Sequence, residues 1–179
     1  MNTKAAQKRQ KILEAAKEYI LNNDFQSLTL DATARQAGIS KGGLLYHFPN
    51  KEALLNGLAD YILQNFTKAF EDHAKNDVTE KGRWSRALIE TTKKDIDQHA
   101  ELNVGIIAAS MLHTDLSGNI SEAYQYMQTK VEQDGLDPVA ATIIRLAIDG
   151  LYYSELFQIA PLDPHMQEKV IERLKLMTQ

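Results

Sequence analysis

The sequence predicts an all-α fold: a three-helix head at the N-terminus, then a larger helical body, about nine helices in all. Three observations carry this. Apolar residues recur at three-to-four spacing along most of the chain, and no segment alternates as a strand does. Four prolines and nine glycines in 179 residues are too few for a many-turned sheet fold, and they fall between the periodic segments. A 44% hydrophobic, 25% charged composition supplies a core and excludes a disordered chain.

The elements follow in order. Ala5, Ile12, Leu13, Ala16, Tyr19 and Ile20 place a first helix over residues 3–23. A second, short helix is expected over 28–37, with Thr29 as N-cap and Gly38 as a left-handed residue past its end. Ser40 caps a third through Tyr46, closed by Pro49-Asn50. Asn50 caps a long fourth helix over 51–75, with Leu54, Leu55, Leu58, Ile62, Phe66 and Phe70 on its apolar face. A fifth is expected over 80–98. Residues 102–112 are apolar almost all round and predict a central sixth helix. Ile120, Ala123, Tyr124, Met127 and Val131 stripe a seventh that Gly135 stops. Asp137-Pro138 and Asp163-Pro164 each read as N-cap plus proline at the first helical position, starting an eighth helix to Gln158 and a ninth to Met177. The expected division is a head of residues 1–50 and a body of residues 51–179.

Composition narrows the chemistry. With no cysteine, disulfides, thiolate metal sites and a cysteine nucleophile are all excluded. The histidines His73, His99, His113 and His165 lack ligand spacing, so neither metal nor cofactor is expected. No nucleophile elbow or phosphate loop marks an enzyme. The apolar runs are too short to span a bilayer and the start lacks an apolar signal core, which predicts a cytoplasmic protein without membrane contact. The net charge of −4 is unevenly spread: residues 1–51 carry +4 and the remainder −8. A basic head on an acidic body predicts that the head meets an anion.

The second and third segments have helix-turn-helix spacing. Ala34 and Ala37 are small enough for a close crossing, and Ile39 and Leu44 fill the joint. The second helix of such a unit enters the DNA major groove N-terminus first. That places Ser40, Lys41, Gly42 and Gly43 at base edges, with Lys41 able to donate to guanine. Two glycines weaken so short a helix, and their use is close backbone approach. Thr29 and Lys51 stand at helix N-termini suited to phosphate. Tyr46 either reaches the DNA or packs on the fourth helix, and His47 either contacts the backbone or caps its own helix. Lys4, Lys8, Arg9 and Lys11 form a basic arm without an acid among residues 1–11.

Residues 29–54, with Thr29 at the start, the run Gly38-Ile39-Ser40-Lys41-Gly42 and the junction Pro49-Asn50-Lys51-Glu52, resemble the N-terminal signature of the TetR family of transcriptional regulators. The motif similarity covers about residues 8–58. The resemblance implies a homodimer on a palindromic double-stranded DNA operator, usually repressing, and released by a small-molecule effector in the body. It implies that Ser40, Lys41 and Gly42 read bases, and that His47, Lys51 and Thr29 lie beside phosphates. Gly43 departs from a frequent threonine and Leu45 from the usual tyrosine, so that contact is either absent or made by Tyr46 from another face. Thr33 replaces a branched apolar residue, predicting a slightly looser small core.

In the body, Phe66, Phe70, Trp84, Met111, Tyr124, Met127 and Arg145 are candidates for an effector pocket, the alternative being ordinary core. Arg145 and Asp149 lie one turn apart in an apolar helix, as a mutual or intersubunit ion pair or with Arg145 as an anchor for an acidic effector. The eighth and ninth segments hold more apolar surface than one core face needs. Ile144, Ile148, Leu151, Tyr152, Val170 and Leu174 are therefore expected at a homodimer interface. The fourth helix is the expected lever between effector and head. The alternative function is a helical small-molecule-binding or interaction module without DNA binding.

Overall fold

The computed structural model describes residues 3–23, 25–97 and 116–179. The expected helix over 102–112 and Met111, His99 and His113 lie outside these residues. Eight helices are present among the described residues: α1 Lys4–Asn22, α2 Leu30–Gln36, α3 Lys41–Leu45, α4 Lys51–Asn76, α5 Arg83–Asp97, α6 Leu116–Glu132, α7 Pro138–Phe157 and α8 Pro164–Leu176. The fold is all-α. None of these helices is long and apolar enough to cross a membrane.

Side-chain caps set most helix starts. Thr3, Thr29, Ser40, Asp137 and Asp163 each accept a backbone N–H from the first turn that follows. Asn50 Oδ1 does so for α4, from Ala53 N–H at 2.7 Å. These bonds satisfy donors that a helix start otherwise leaves open. Two starts fall later than expected, for local reasons. Thr29 is extended and its hydroxyl serves the Ala32 N–H, so Leu28 lies outside α2 and is instead fully buried. Gly82 has φ +75°, which breaks the helical path and delays α5 to Arg83.

The chain divides into two compact units within α4, after Leu63. In the first, α1 packs on α2 and α2 on α3. Its core is Ile12, Leu13, Ala16, Leu28, Leu44, Phe48, Leu54 and Leu58, each at most 2% exposed. Thr33 is also fully buried, and its hydroxyl donates to the Thr29 carbonyl at 3.0 Å. The polar atom is thus satisfied within its own helix, without a partner from the core. Phe48 packs beside Arg9, whose guanidinium sits 4.9 Å from the ring centroid, and both reach Gly57 of α4. A Cβ on Gly57 would fall 2.6 Å from Phe48 Cε1, so the ring requires glycine there.

In the second unit α7 packs against α5, and α8 against both. Asp134, only 3% exposed, accepts from Trp84 N–H at 2.8 Å and Ser85 N–H at 2.7 Å. A carboxylate from beyond α6 therefore closes the N-terminus of α5. Arg86 ties the loop before α5 to the chain end. Its Nε donates to Asp77 at 2.7 Å, Nη2 to the Thr79 and Lys81 carbonyls, and Nη1 to Thr178 at 3.2 Å.

Candidate nucleic-acid interface and helical body

The reading unit is built by a turn with defined chemistry. Gly38 has φ +63°. The Ile39 N–H reaches the Ala34 carbonyl and the Gly38 N–H the Arg35 carbonyl, both at 3.0 Å. This is a Schellman closure, which needs a left-handed residue at that position. Ile39 then turns inward and Ser40, accepting from the Gly43 N–H at 3.1 Å, opens α3. Leu44 anchors α3 at 0% exposure, leaving the rest of this short helix outward.

Lys41 and Gly42 are exposed at the start of α3. A Cβ on Gly42 would meet nothing within 4 Å. The protein's own packing therefore does not demand glycine there, and any demand must come from outside. At Gly43 a Cβ would lie 3.2 Å from both Lys8 Nζ and Ser40 Oγ. Lys8 of α1 thus hangs over α3, and Lys11 Nζ stands 3.9 Å from the equivalent point on Gly38. Lys41 Nζ forms an ion pair with Asp31 Oδ2 of α2 at 2.9 Å. Asp31 was not foreseen from sequence, because a pair ten residues apart depends on the turn between them.

Tyr46 is 82% exposed and does not pack on α4. Its ring meets His47 edge-on at 5.0 Å. Phe48 is buried behind them. Lys51 begins α4 with its ammonium 6.0 Å from the Phe25 ring. Thr29 is exposed at the start of α2, its hydroxyl oxygen engaged as cap acceptor.

The body residues divide. Phe66, Phe70 and Met127 are buried core. Trp84 tilts against Phe70 at 5.1 Å, with the Arg83 and Lys130 cations over its ring. It also lines an open pocket of about 470 Å³ with Glu80, Lys81, Arg83, Gln133, Asp134 and Gly135. Arg145 Nη1 meets Asp149 Oδ2 at 2.5 Å, which is the mutual ion pair. Arg145 Nε is buried and has no partner among the described residues. Burial holds the Asp149 carboxyl above its ordinary range despite Arg145. Tyr124 and Tyr153 share a hydroxyl–hydroxyl contact of 3.3 Å, and Tyr152 donates to Asp95 at 3.1 Å. Burial pushes the Tyr124 and Tyr152 phenols upward, keeping both neutral.

The residues expected at a dimer face are mostly buried within one chain. Ile144 and Ile148 are 0% exposed, Tyr152 3%, and Leu151 and Leu174 5%, within a single chain. They belong to the core of a unit in which α7 packs against α5 and α8; Val170 is half-buried. The outward stripe of α7 is Val139, Ile143, Leu146, Gly150, Tyr153 and Phe157. Its apolar members are 36–67% exposed. Tyr153 and Phe157 stack at 6.1 Å, and Met166 of α8 is 45% exposed.

Comparison with known proteins gives two family matches. Residues 12–58 match the family described as bacterial regulatory proteins, tetR family, and residues 82–179 the tetracyclin repressor-like C-terminal domain. The chain is 39% identical over 69 residues to the HTH-type transcriptional regulator UidR of Escherichia coli K12, covering 38% of this chain and 34% of that protein. It is 32% identical over 69 residues to the nucleoid occlusion factor SlmA of a Marinomonas species, covering 38% of this chain and 35% of that protein. The match thus spans about a third of the length of these relatives. A tetR-family transcriptional regulator from Mesorhizobium loti shares the fold, with a TM-score of 0.75 and 18% identity over 98% of this chain and 95% of that one.

Proposed function

Because the chain belongs to the TetR family of bacterial regulatory proteins, we propose that it is a ligand-responsive transcriptional repressor that binds a palindromic operator as a homodimer. The observation that carries this reading is the tip of α3. Lys41, Gly42 and Tyr46 stand out from a head whose core is complete without them. Lys8 and Lys11 lie alongside.

In this reading Ser40, Lys41, Gly42 and Gly43 enter the major groove. The open space around Gly42 lets the DNA come close to the backbone. Lys51 and Thr29, at helix N-termini, meet phosphates, and Tyr46 and His47 reach the sugar–phosphate backbone. Residues 1–50 are the DNA-binding part and residues 51–179 the effector and dimer part, with α4 running from one into the other.

The dimer forms through α7 and α8. Val139, Ile143, Leu146, Tyr153, Phe157 and Met166 make an exposed apolar surface that a second copy covers. The effector binds in the body near Phe66, Phe70, Trp84, Tyr124, Met127 and Arg145. It favours the form whose two heads are wrongly spaced for the half-sites, and shifts the equilibrium by no more than its differential affinity.

Selection of bound duplexes from a random pool, followed by electrophoretic shift, tests the reading. A palindromic consensus bound by two copies is the expected result. A chain that retains no duplex even at low salt is instead a small-molecule-binding or interaction module.

A further inference from the structure

The lysines at the tip are of two kinds. Lys8, Lys11 and Lys51 form no ion pair among the described residues, and two of them lie against α3 and the turn before it. Among the described residues Lys41 is the lysine of the tip held by an acid, Asp31, at 2.9 Å. Asp31 is the second residue of α2, after the cap Thr29, where the helix N-terminus favours a carboxylate. The two side chains are 57% and 58% exposed, so the pair sits in water on the surface proposed to face DNA. Such a pair is weak enough for a base edge to compete for the ammonium.

We propose that Asp31 is a specificity-determining residue: as an internal counter-ion to Lys41, it keeps that ammonium from neutralising phosphate and reserves it for a base edge. This rests on the DNA-binding reading above. The physical basis is the charge of the unit. Affinity for phosphate falls with salt in proportion to the number of phosphates neutralised, because each releases a condensed counter-ion. Lys8, Lys11 and Lys51 each add a whole charge. The Lys41–Asp31 pair is neutral, and if Lys41 left for a phosphate it would strand a carboxylate beside the DNA. Lys41 therefore reaches further only where a directed acceptor, such as guanine O6 or N7, meets it.

The test compares Asp31→Asn, Asp31→Glu, the double variant Asp31→Asn/Lys41→Ala and Lys51→Ala. Each is titrated on a random-sequence duplex and on the best duplex selected by the wild type, between 50 and 200 mM salt. Asp31→Asn frees Lys41 for phosphate. Its log–log salt slope should steepen by about 0.9 per bound head, so the affinity it gains on random duplex shrinks about 3.5-fold per head across that range. Its preference for the selected duplex should fall. The double variant removes a neutral unit, so it should keep the wild-type slope and lose the preference. Lys51→Ala should flatten the slope with preference intact, and Asp31→Glu should match the wild type. A double variant whose slope flattens as much as that of Lys51→Ala would overturn the proposal, since Lys41 would then be a phosphate clamp. So would Asp31→Asn with wild-type slope and preference. If the wild type binds no duplex at any salt, the DNA-binding reading itself fails.

Discussion

Asp134 grips Ser85 across 49 residues of sequence: its Oδ2 accepts the Ser85 backbone N–H at 2.7 Å while Oδ1 takes the Trp84 N–H at 2.8 Å. Both bonds are charge-assisted and the carboxylate is 3% exposed. Asp134→Ala should therefore destabilise the chain by about 2–3 kcal/mol. Asp137→Ala removes the exposed cap of α7, one bond to Ala140 at 2.9 Å, and should cost about 1 kcal/mol. Urea midpoints at pH 7 measure both, and equal losses would contradict the difference in burial.

The two faces of α7 should answer differently to the same charge. Leu146→Glu places a carboxylate on the exposed stripe and should yield folded monomers by light scattering. Ile144→Glu, two residues earlier at 0% exposure, should abolish folding by leaving a buried charge unpaired, a loss of several kcal/mol. A dimer that survives Leu146→Glu would put the interface elsewhere.

Two glycines of the head separate stability from binding. Gly57→Ala drives a methyl to 2.6 Å from the Phe48 ring and should lower stability by about 1–3 kcal/mol. Gly42→Ala meets open space and should stabilise α3 by up to about 1 kcal/mol. The same methyl should weaken duplex binding where DNA approaches the backbone. Thermal melts and shift titrations on one pair of samples read both effects.

Two aspartates should shape acid stability in opposite directions. The hydrogen bond from Arg86 holds the Asp77 carboxyl below its ordinary range. Its stabilisation is present above about pH 4, the unfolded value, and is lost as pH falls through the folded one. Burial raises Asp149 instead, so its folded form takes up a proton first and stability rises as pH falls through that raised value. Urea midpoints from pH 7 to 3 should show Asp77→Asn losing the low-pH decline, and Asp149→Asn losing the opposing contribution above it.

The helix ends were legible because their signals are local. Thr29, Gly38, Ser40, Asp137 and Asp163 each act within about five residues, so composition and spacing suffice. The outward side of α7 was not legible. On α7 apolar residues occupy both sides, and periodicity alone does not separate Ile144, Ile148 and Tyr152 from Ile143, Leu146 and Tyr153. That choice is made by α5 and α8, which arrive from elsewhere in the chain. The partner of Lys41 and the role of Asp134 were hidden for the same reason. The Gly38 turn and the short α3 helix were legible, since they lie within nine residues.

Gly150 leaves a notch midway along the outward ridge of α7. Helices that cross at a notch can approach backbone to backbone, and their separation fixes the angle at which each copy presents its far end. In the proposed dimer, a methyl group wedged there would alter the preferred gap between half-sites before it altered the strength of pairing. The ruler for the operator would then be cut in a helix that never touches DNA.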